Sequence, residues 1–548
     1  MELFDPTKPL VTYVGALSIF SFSLLWLLYW DDENNRGNRV RKIRFEPVIA
    51  VLSAFIAQIL VLDLRTIDFE LSLFIAVITL AVIVLVMYER WTEIGRWRVS
   101  TVVAFLVFGN TLLFWNNYQN SINGVTIKAM LHSEVSSEPT THDLLSERWE
   151  QQAVAQFKEK FGATVEIESG DPHSDKRLQE ILDELASENK TDIDVFAIDV
   201  ISTGTLAEYA ENLSPLFKEN LTGFFDAIIR NNTIQNDVSN SKLVALPWFM
   251  DIGLLFYRPT LLEKYGYDEP PKTWDELEEM AKEIQRGERD QEGKRNFWGF
   301  VWQGDAYEGL TCNALEWQFS HSGGTIVDTN KNVDIKALSV TAFEQAKNWI
   351  WTDQISPPDV IEYDEGQTLK IWLRGNAAFM RHWPYAYRAS QEENSIIHGD
   401  IAVTLLPKGN DESGRHASTL GGWQLMINAK AKGKEKRAAI KFVEFLTSRE
   451  MQKSLVIETG KLPTLIDLYD DPDVKSSLKF IAENEQLNPS SLNRIIVKRP
   501  SIYTGKQYPE ISKNYFNRVH EILEDRDNSK NTHKIVEGLR SGIQQILQ

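Results

Sequence analysis

At 548 residues the chain has room for several domains, and its 43% hydrophobic content is ordinary for a globular protein. A formal charge of −19 argues against nucleic acid as a partner, because phosphate contacts need a basic surface. The single cysteine, Cys312, rules out an intrachain disulfide and so a disulfide-stapled secreted scaffold, but not an oxidising compartment.

The hydrophobic residues are unevenly spread. Leu10–Trp30, Pro47–Leu62, Leu71–Tyr88 and Val99–Trp115 are charge-free apolar runs, read as four transmembrane helices. No basic segment precedes the first run, as a cleaved signal peptide would require. The loop from Asp31 to Glu46 carries Arg36, Arg39, Arg41, Lys42 and Arg44, and the loop from Glu89 to Arg98 carries Arg90, Arg96 and Arg98. The intervening loop has Asp63, Asp68 and Glu70 against Arg65 alone. Lys and Arg excess marks the cytoplasmic side, so everything after Trp115 is expected outside the cytoplasm. The localisation expected is therefore a multi-pass cell-membrane protein with an extracytoplasmic C-terminal domain. The runs contain no ionisable side chain, which favours an anchor over an ion pathway.

Beyond the connector 116–124, strands are expected at Val125–Leu131, Thr164–Glu168 and Asp194–Asp199, separated by helices at Asp143–Phe161 and Lys176–Ser187. This alternation indicates a largely parallel, helix-covered sheet, whose ligands sit at the carboxyl ends of strands, where Asp199 falls. Thr205 and Glu208 have the spacing of a capping box, as do Thr273 and Glu276. Leu243–Pro259, LVALPWFMDIGLLFYRP, places Trp248, Phe249 and Asp251 between two strand-like runs, the second being Ile252–Tyr257. Aromatic faces beside an acid suit a ligand with apolar C–H faces and hydroxyls, as in a sugar; the same residues also serve as core rings and a turn acid. The segment Asn296–Trp317 is dense in rings, with Trp302, Gln303, Asp305, Tyr307 and Glu308 among them. Gly375–Met380 is strand-like and delivers RHWPYAY, with Trp383 and Tyr385. Ile401–Leu406 and Leu420–Ile427 (LGGWQLMI, with Gly422 and Trp423) read as further strands, and Ala438–Leu446 and Ile535–Leu547 as helices.

DVFAIDV (Asp194–Val200), ALPWFMDIGLLFYR (Ala245–Arg258), LLEKYGYDEPPKTWDELEEMA (Leu261–Ala281), FWGFVWQGDAYEGLTC (Phe297–Cys312), RHWPYAY, LGGW and KRP (Lys498–Pro500) occur in that order. Together they resemble the extracellular solute-binding proteins of carbohydrate ABC importers, in particular the trehalose/maltose-binding branch, from about Val125 to the C-terminus. The resemblance implies a type II periplasmic-binding-protein-like fold, so the whole fold class expected is a four-helix transmembrane segment followed by this two-lobed α/β fold. The lobes expected are about 125–245 with 400–450, and about 250–398 with 455–548. It implies that Asp199 and Asp251 accept bonds from sugar hydroxyls, that Trp383 and Tyr385 stack on sugar faces, that Gly422 offers a backbone contact and that Arg499 donates. Trp248, Trp302, Glu308 and Trp423 join the ligand-binding candidates, and an early acidic contact falls to Glu134 or Glu138. Ser202-Thr203 stand where members of that branch often carry an aromatic, which removes one stacking contact from the expected set.

The function expected is a membrane-embedded carbohydrate-binding component of an ABC importer, taking a disaccharide or similar glycoside and serving permease and ATPase subunits. The alternative is a membrane sensor that passes the ligand signal to a partner protein. Paired acids and rings also build glycosidases, but no carboxylate stands out as the raised-pKa acid, so no enzyme and no catalytic residue is expected. Gly409–Ser418 has Arg415 and His416 where a phosphate loop needs Lys and Ser or Thr. His132, His142 and His173 lack ligand spacing, so no metal and no cofactor is expected.

Overall fold

The computed structural model describes residues 121–548, apart from 135–140, 172, 187–191, 238–239, 292–293 and 394. In chain order the strands are β1 Thr126–Glu134, β2 Thr164–Gly170, β3 Ile193–Asp199, β4 Thr233–Asp237, β5 Asn240–Leu243, β6 Ala245–Ile252, β7 Leu254–Tyr257, β8 Trp298–Val301, β9 Ala377–His382, β10 Ala402–Thr404, β11 Ser418–Ile427, β12 Leu462–Pro463 and β13 Ile496–Val497. Two main sheets result. The first runs β12-β6-β11-β3-β1-β2, with β13 beside β11; the second runs β10-β7-β9-β8; β4 and β5 form a separate hairpin. In the first sheet β1 pairs parallel with β2 and β3, while β11 runs antiparallel to β3 and β6. The first sheet is thus mixed rather than largely parallel, and β3 and β6, both antiparallel to β11, finish at the same end of it.

Each sheet is covered by helices that its sequence dictates. The helix Thr141–Phe161 buries Trp149, Ala153 and Phe157, a four-residue spacing that lays one stripe on the first sheet. Ala438, Ala439, Phe442, Val443 and Leu446 do the same from the helix Gly433–Leu446. The helix Trp274–Arg289 opens on the expected capping box, in which Thr273 accepts from the Glu276 N–H and Glu276 reaches back to the Thr273 N–H. The other expected box fails. The Thr205 hydroxyl donates to the Gly505 carbonyl at 3.0 Å, Glu208 pairs with Lys506, and only a single turn, Thr203–Leu206, forms.

The chain passes between the sheets inside the stretch singled out above. Pro247, Trp248 and Phe249 lie within β6 rather than between strands, and the second strand starts at Leu254 rather than Ile252. Phe249 pairs with Trp423 and Pro247 with the next residue, Gln424, so Trp248 is the extra residue of a bulge. A proline, which has no N–H to give the ladder, is tolerated there. The crossover itself is Gly253. A Cβ at this position would lie 2.0 Å from Glu316 Oε1 and 2.6 Å from Arg381 Nη2, so the missing side chain makes room for a buried ion pair.

The expected fold class is corrected in its first part. Among the described residues no helix is long and apolar enough to cross a membrane. The four runs expected to span it lie outside the described residues, so the architecture that the described residues support is the two-lobed α/β fold, and the transmembrane segment and multi-pass, membrane-embedded placement gain no support from it.

Candidate functional site

The site is built where β3 and β6 end on either side of β11. Asp199, the last residue of β3, lies opposite Trp423 of β11, and Asp251 of β6 lies opposite Gly421. Both acids are mostly buried, at 9% and 8% exposure.

Asp199 is held on both oxygens. Oδ1 accepts from the Ile201 N–H at 3.0 Å and from Arg499 Nη2 at 3.5 Å, and Oδ2 accepts from the Ser174 hydroxyl at 2.7 Å. Arg499 also donates from Nη1 to Glu308 Oε1 at 2.8 Å and from Nη2 to the Leu420 carbonyl at 2.9 Å, while its buried Nε has no partner. Glu308 begins the helix Glu308–Ser320, where the helix dipole favours a carboxylate, and it accepts further bonds from the Tyr508 and Ser512 hydroxyls. Burial raises the Glu308 carboxyl against the pull of Arg499. Arg499 and Glu308 therefore lock the base of the site, and their charges are largely spent on each other.

Asp251 differs. Its Oδ1 is buried without a hydrogen-bond partner. Burial pushes this carboxyl up to about 8; Lys461 and Arg381 oppose that, and Asp199 and Glu365 add to it. A buried carboxyl with an open oxygen is costly unless a ligand group completes it.

Trp383 follows β9 and reaches Asp251 from the second lobe: a Cβ on Gly421 would lie 3.3 Å both from the Asp251 Cβ and from the Trp383 ring. Tyr385 stands two residues on, partly exposed and edge-on to His382 at 5.1 Å. Gly422 has φ +101°, and a Cβ there would lie 2.4 Å from the Phe249 carbonyl oxygen, so only glycine fits. Its carbonyl accepts from the Val200 N–H at 3.1 Å. One face of Trp423 takes the Arg177 guanidinium at 5.0 Å.

Two candidates sit elsewhere. Trp302 is fully buried in the second lobe, edge-on to Trp317 at 5.0 Å, with its N–H on the Ser356 hydroxyl at 3.0 Å. Trp248, the bulge residue, is 1% exposed and packs on Trp149 and Phe249 in the first lobe's core. Neither ring has a face left for a ligand. Glu134 ends β1, and Glu138 lies outside the described residues.

Sequence reasoning missed a second layer. Glu316 holds Arg381 through two bonds, of 2.9 and 2.6 Å, and both side chains are 1% exposed. Arg381 lies 3.9 Å over the Trp383 ring. Glu365 accepts from Trp383 Nε1 at 3.0 Å. Lys461, 2% exposed, stands 4.4 Å over the Phe249 ring. Arg381 lies inside the RHWPYAY motif, which was its one available signal; Glu365 and Lys461 had none.

The comparisons with known proteins agree with this architecture. Residues 143–453 match the family model for bacterial extracellular solute-binding proteins. A probable ABC transporter-binding protein of Deinococcus radiodurans is 38% identical over 384 residues, covering 70% of this chain and 87% of that protein. The maltotriose-binding protein of Pyrococcus abyssi is 28% identical over 235 residues, 42% of this chain and 46% of that protein. The maltose-bound structure of MalE3 from T. maritima superposes with a TM-score of 0.68 at 31% identity, covering 77% of this chain and all of that one. The chain belongs to the bacterial extracellular solute-binding protein family, whose members are binding proteins rather than enzymes.

Proposed function

We propose that this protein is the carbohydrate-binding component of an ABC importer, taking an α-linked disaccharide or short glucose oligomer between its two lobes and delivering it to permease and ATPase subunits. The observation that carries the reading is the open, buried Oδ1 of Asp251, with Asp199 and the Trp383 ring gathered around the same strand end. Asp251 bonds a sugar hydroxyl, and Trp383 and Tyr385 cover C–H faces, a division of labour that carboxyls and rings are suited to. Arg499 acts behind Asp199, setting its carboxylate, while its buried Nε has no partner. Gly422 supports the site by letting β11 pass close to β6. The maltose and maltotriose named for the relatives set the ligand size that this reading adopts.

A thermal-shift screen of maltose, maltotriose, trehalose and non-glucose sugars against the purified protein tests it. A bound sugar at 100-fold its Kd stabilises the fold by about 2.7 kcal/mol, a rise in Tm of several degrees. No shift with any glucoside at millimolar concentration would contradict the proposal.

A further inference from the structure

The Trp383 indole is held from two directions. The Arg381 guanidinium covers one face at 3.9 Å, and Nε1 donates to Glu365 Oε1 at 3.0 Å. The other Glu365 oxygen accepts from the Tyr307 hydroxyl. The Tyr307 ring in turn meets His173, beside the Ser174 that holds Asp199, edge-on at 5.8 Å. One carboxylate therefore joins the ring next to Asp251 to a ring that touches the opposite lobe.

These bonds are not needed by the helix that Glu365 begins. The helix Glu365–Leu373 is capped by its neighbours: Asp364 accepts from the Gln367 N–H at 2.9 Å, and Gln367 accepts from the Asp364 N–H at 3.0 Å. Glu365 is left to serve the two rings alone. Its position in the first turn suits its charge.

From this geometry we infer that Glu365 is a positioning residue of the carbohydrate site: through Trp383 Nε1 and the Tyr307 hydroxyl it fixes the indole plane, so that with one face on Arg381 the ring presents the other to the ligand. The inference rests on the carbohydrate reading above. An indole frozen before the ligand arrives loses no rotamer freedom on binding, an advantage of up to about tenfold in affinity.

The test compares the full-length protein with Glu365→Leu and Glu365→Gln. Each is titrated calorimetrically with maltose, and the Trp383 indole N–H resonance is recorded after assignment by its loss in Trp383→Phe. Leucine removes the acceptor for both rings. Glutamine keeps the shape, accepts from Nε1 and donates to the Tyr307 oxygen. The expected result is a loss of about tenfold in maltose affinity and a moved or broadened indole signal in Glu365→Leu, with both restored in Glu365→Gln. Wild-type affinity and an unmoved indole signal in Glu365→Leu would overturn the inference. So would Glu365→Gln as weak as Glu365→Leu, since charge rather than positioning would then be the cause. If the wild type binds no maltose, the titration uses the glucoside that shifts its Tm; if none does, the carbohydrate reading fails instead, and the indole signal alone decides: unmoved in Glu365→Leu, it overturns the positioning role.

Discussion

Asp251 carries a cost in folding at the proposed ligand contact. Because burial raises its carboxyl to about 8, the folded protein binds a proton that the unfolded chain has released between about pH 4 and pH 8. Stability therefore falls as pH rises through that window, and Asp251→Asn, which cannot titrate, should flatten the slope. Denaturant unfolding of both proteins at about pH 5 and pH 8 checks this; parallel slopes would contradict it. His382 has the opposite sense. Burial, reinforced by Arg381, lowers its ring to about 4, and Nε2 faces the Glu365 carbonyl at 3.1 Å. It is neutral in the fold, so its contribution is intact above the unfolded value of about 6.5 and is lost as pH falls from there toward 4. His382→Gln should lessen the acid sensitivity of Tm in that range.

At the scale of the element, β6 and its exit at Gly253 decide how the lobes are joined. Gly253→Ala would force a methyl into the Glu316–Arg381 pair and should destabilise the protein by about 1–3 kcal/mol, measurable from the denaturation midpoint. Removing one partner, as in Glu316→Ala, strands a buried guanidinium and should cost about 3–5 kcal/mol; the paired change Glu316→Leu with Arg381→Met should cost less. Much of the scaffold was legible from local pattern. The strand ending at Asp199, the capped helix after Thr273 and the apolar run through Asp251 all follow from periodicity and punctuation. What failed shares one physical cause, contacts distant in sequence. Trp302 and Trp383 both stand in ring-rich segments, and only tertiary packing sends one to the core and the other to Gly421. Thr205 and Glu208 have the spacing of a cap, yet their bonds go to Gly505 and Lys506, about three hundred residues away. Trp248, Phe249 and Asp251 were expected between two strands but lie within β6, because the bulge that accommodates Pro247 depends on the register of a partner strand.

For the whole molecule, the two lobes matter because each brings what the other lacks. The first supplies strand-end acids; the second supplies Trp383 and Tyr385 on the chain leaving β9. A ligand that bridges them draws on both, so loss of either side should weaken binding without unfolding the protein. The direct measurement is a calorimetric titration with maltose and maltotriose of the wild type, Asp251→Ala and Trp383→Ala, each confirmed folded by circular dichroism. The account predicts saturable binding by the wild type and at least a tenfold to hundredfold loss, about 1.5–3 kcal/mol, in each variant. Wild-type affinity retained in both variants would contradict it.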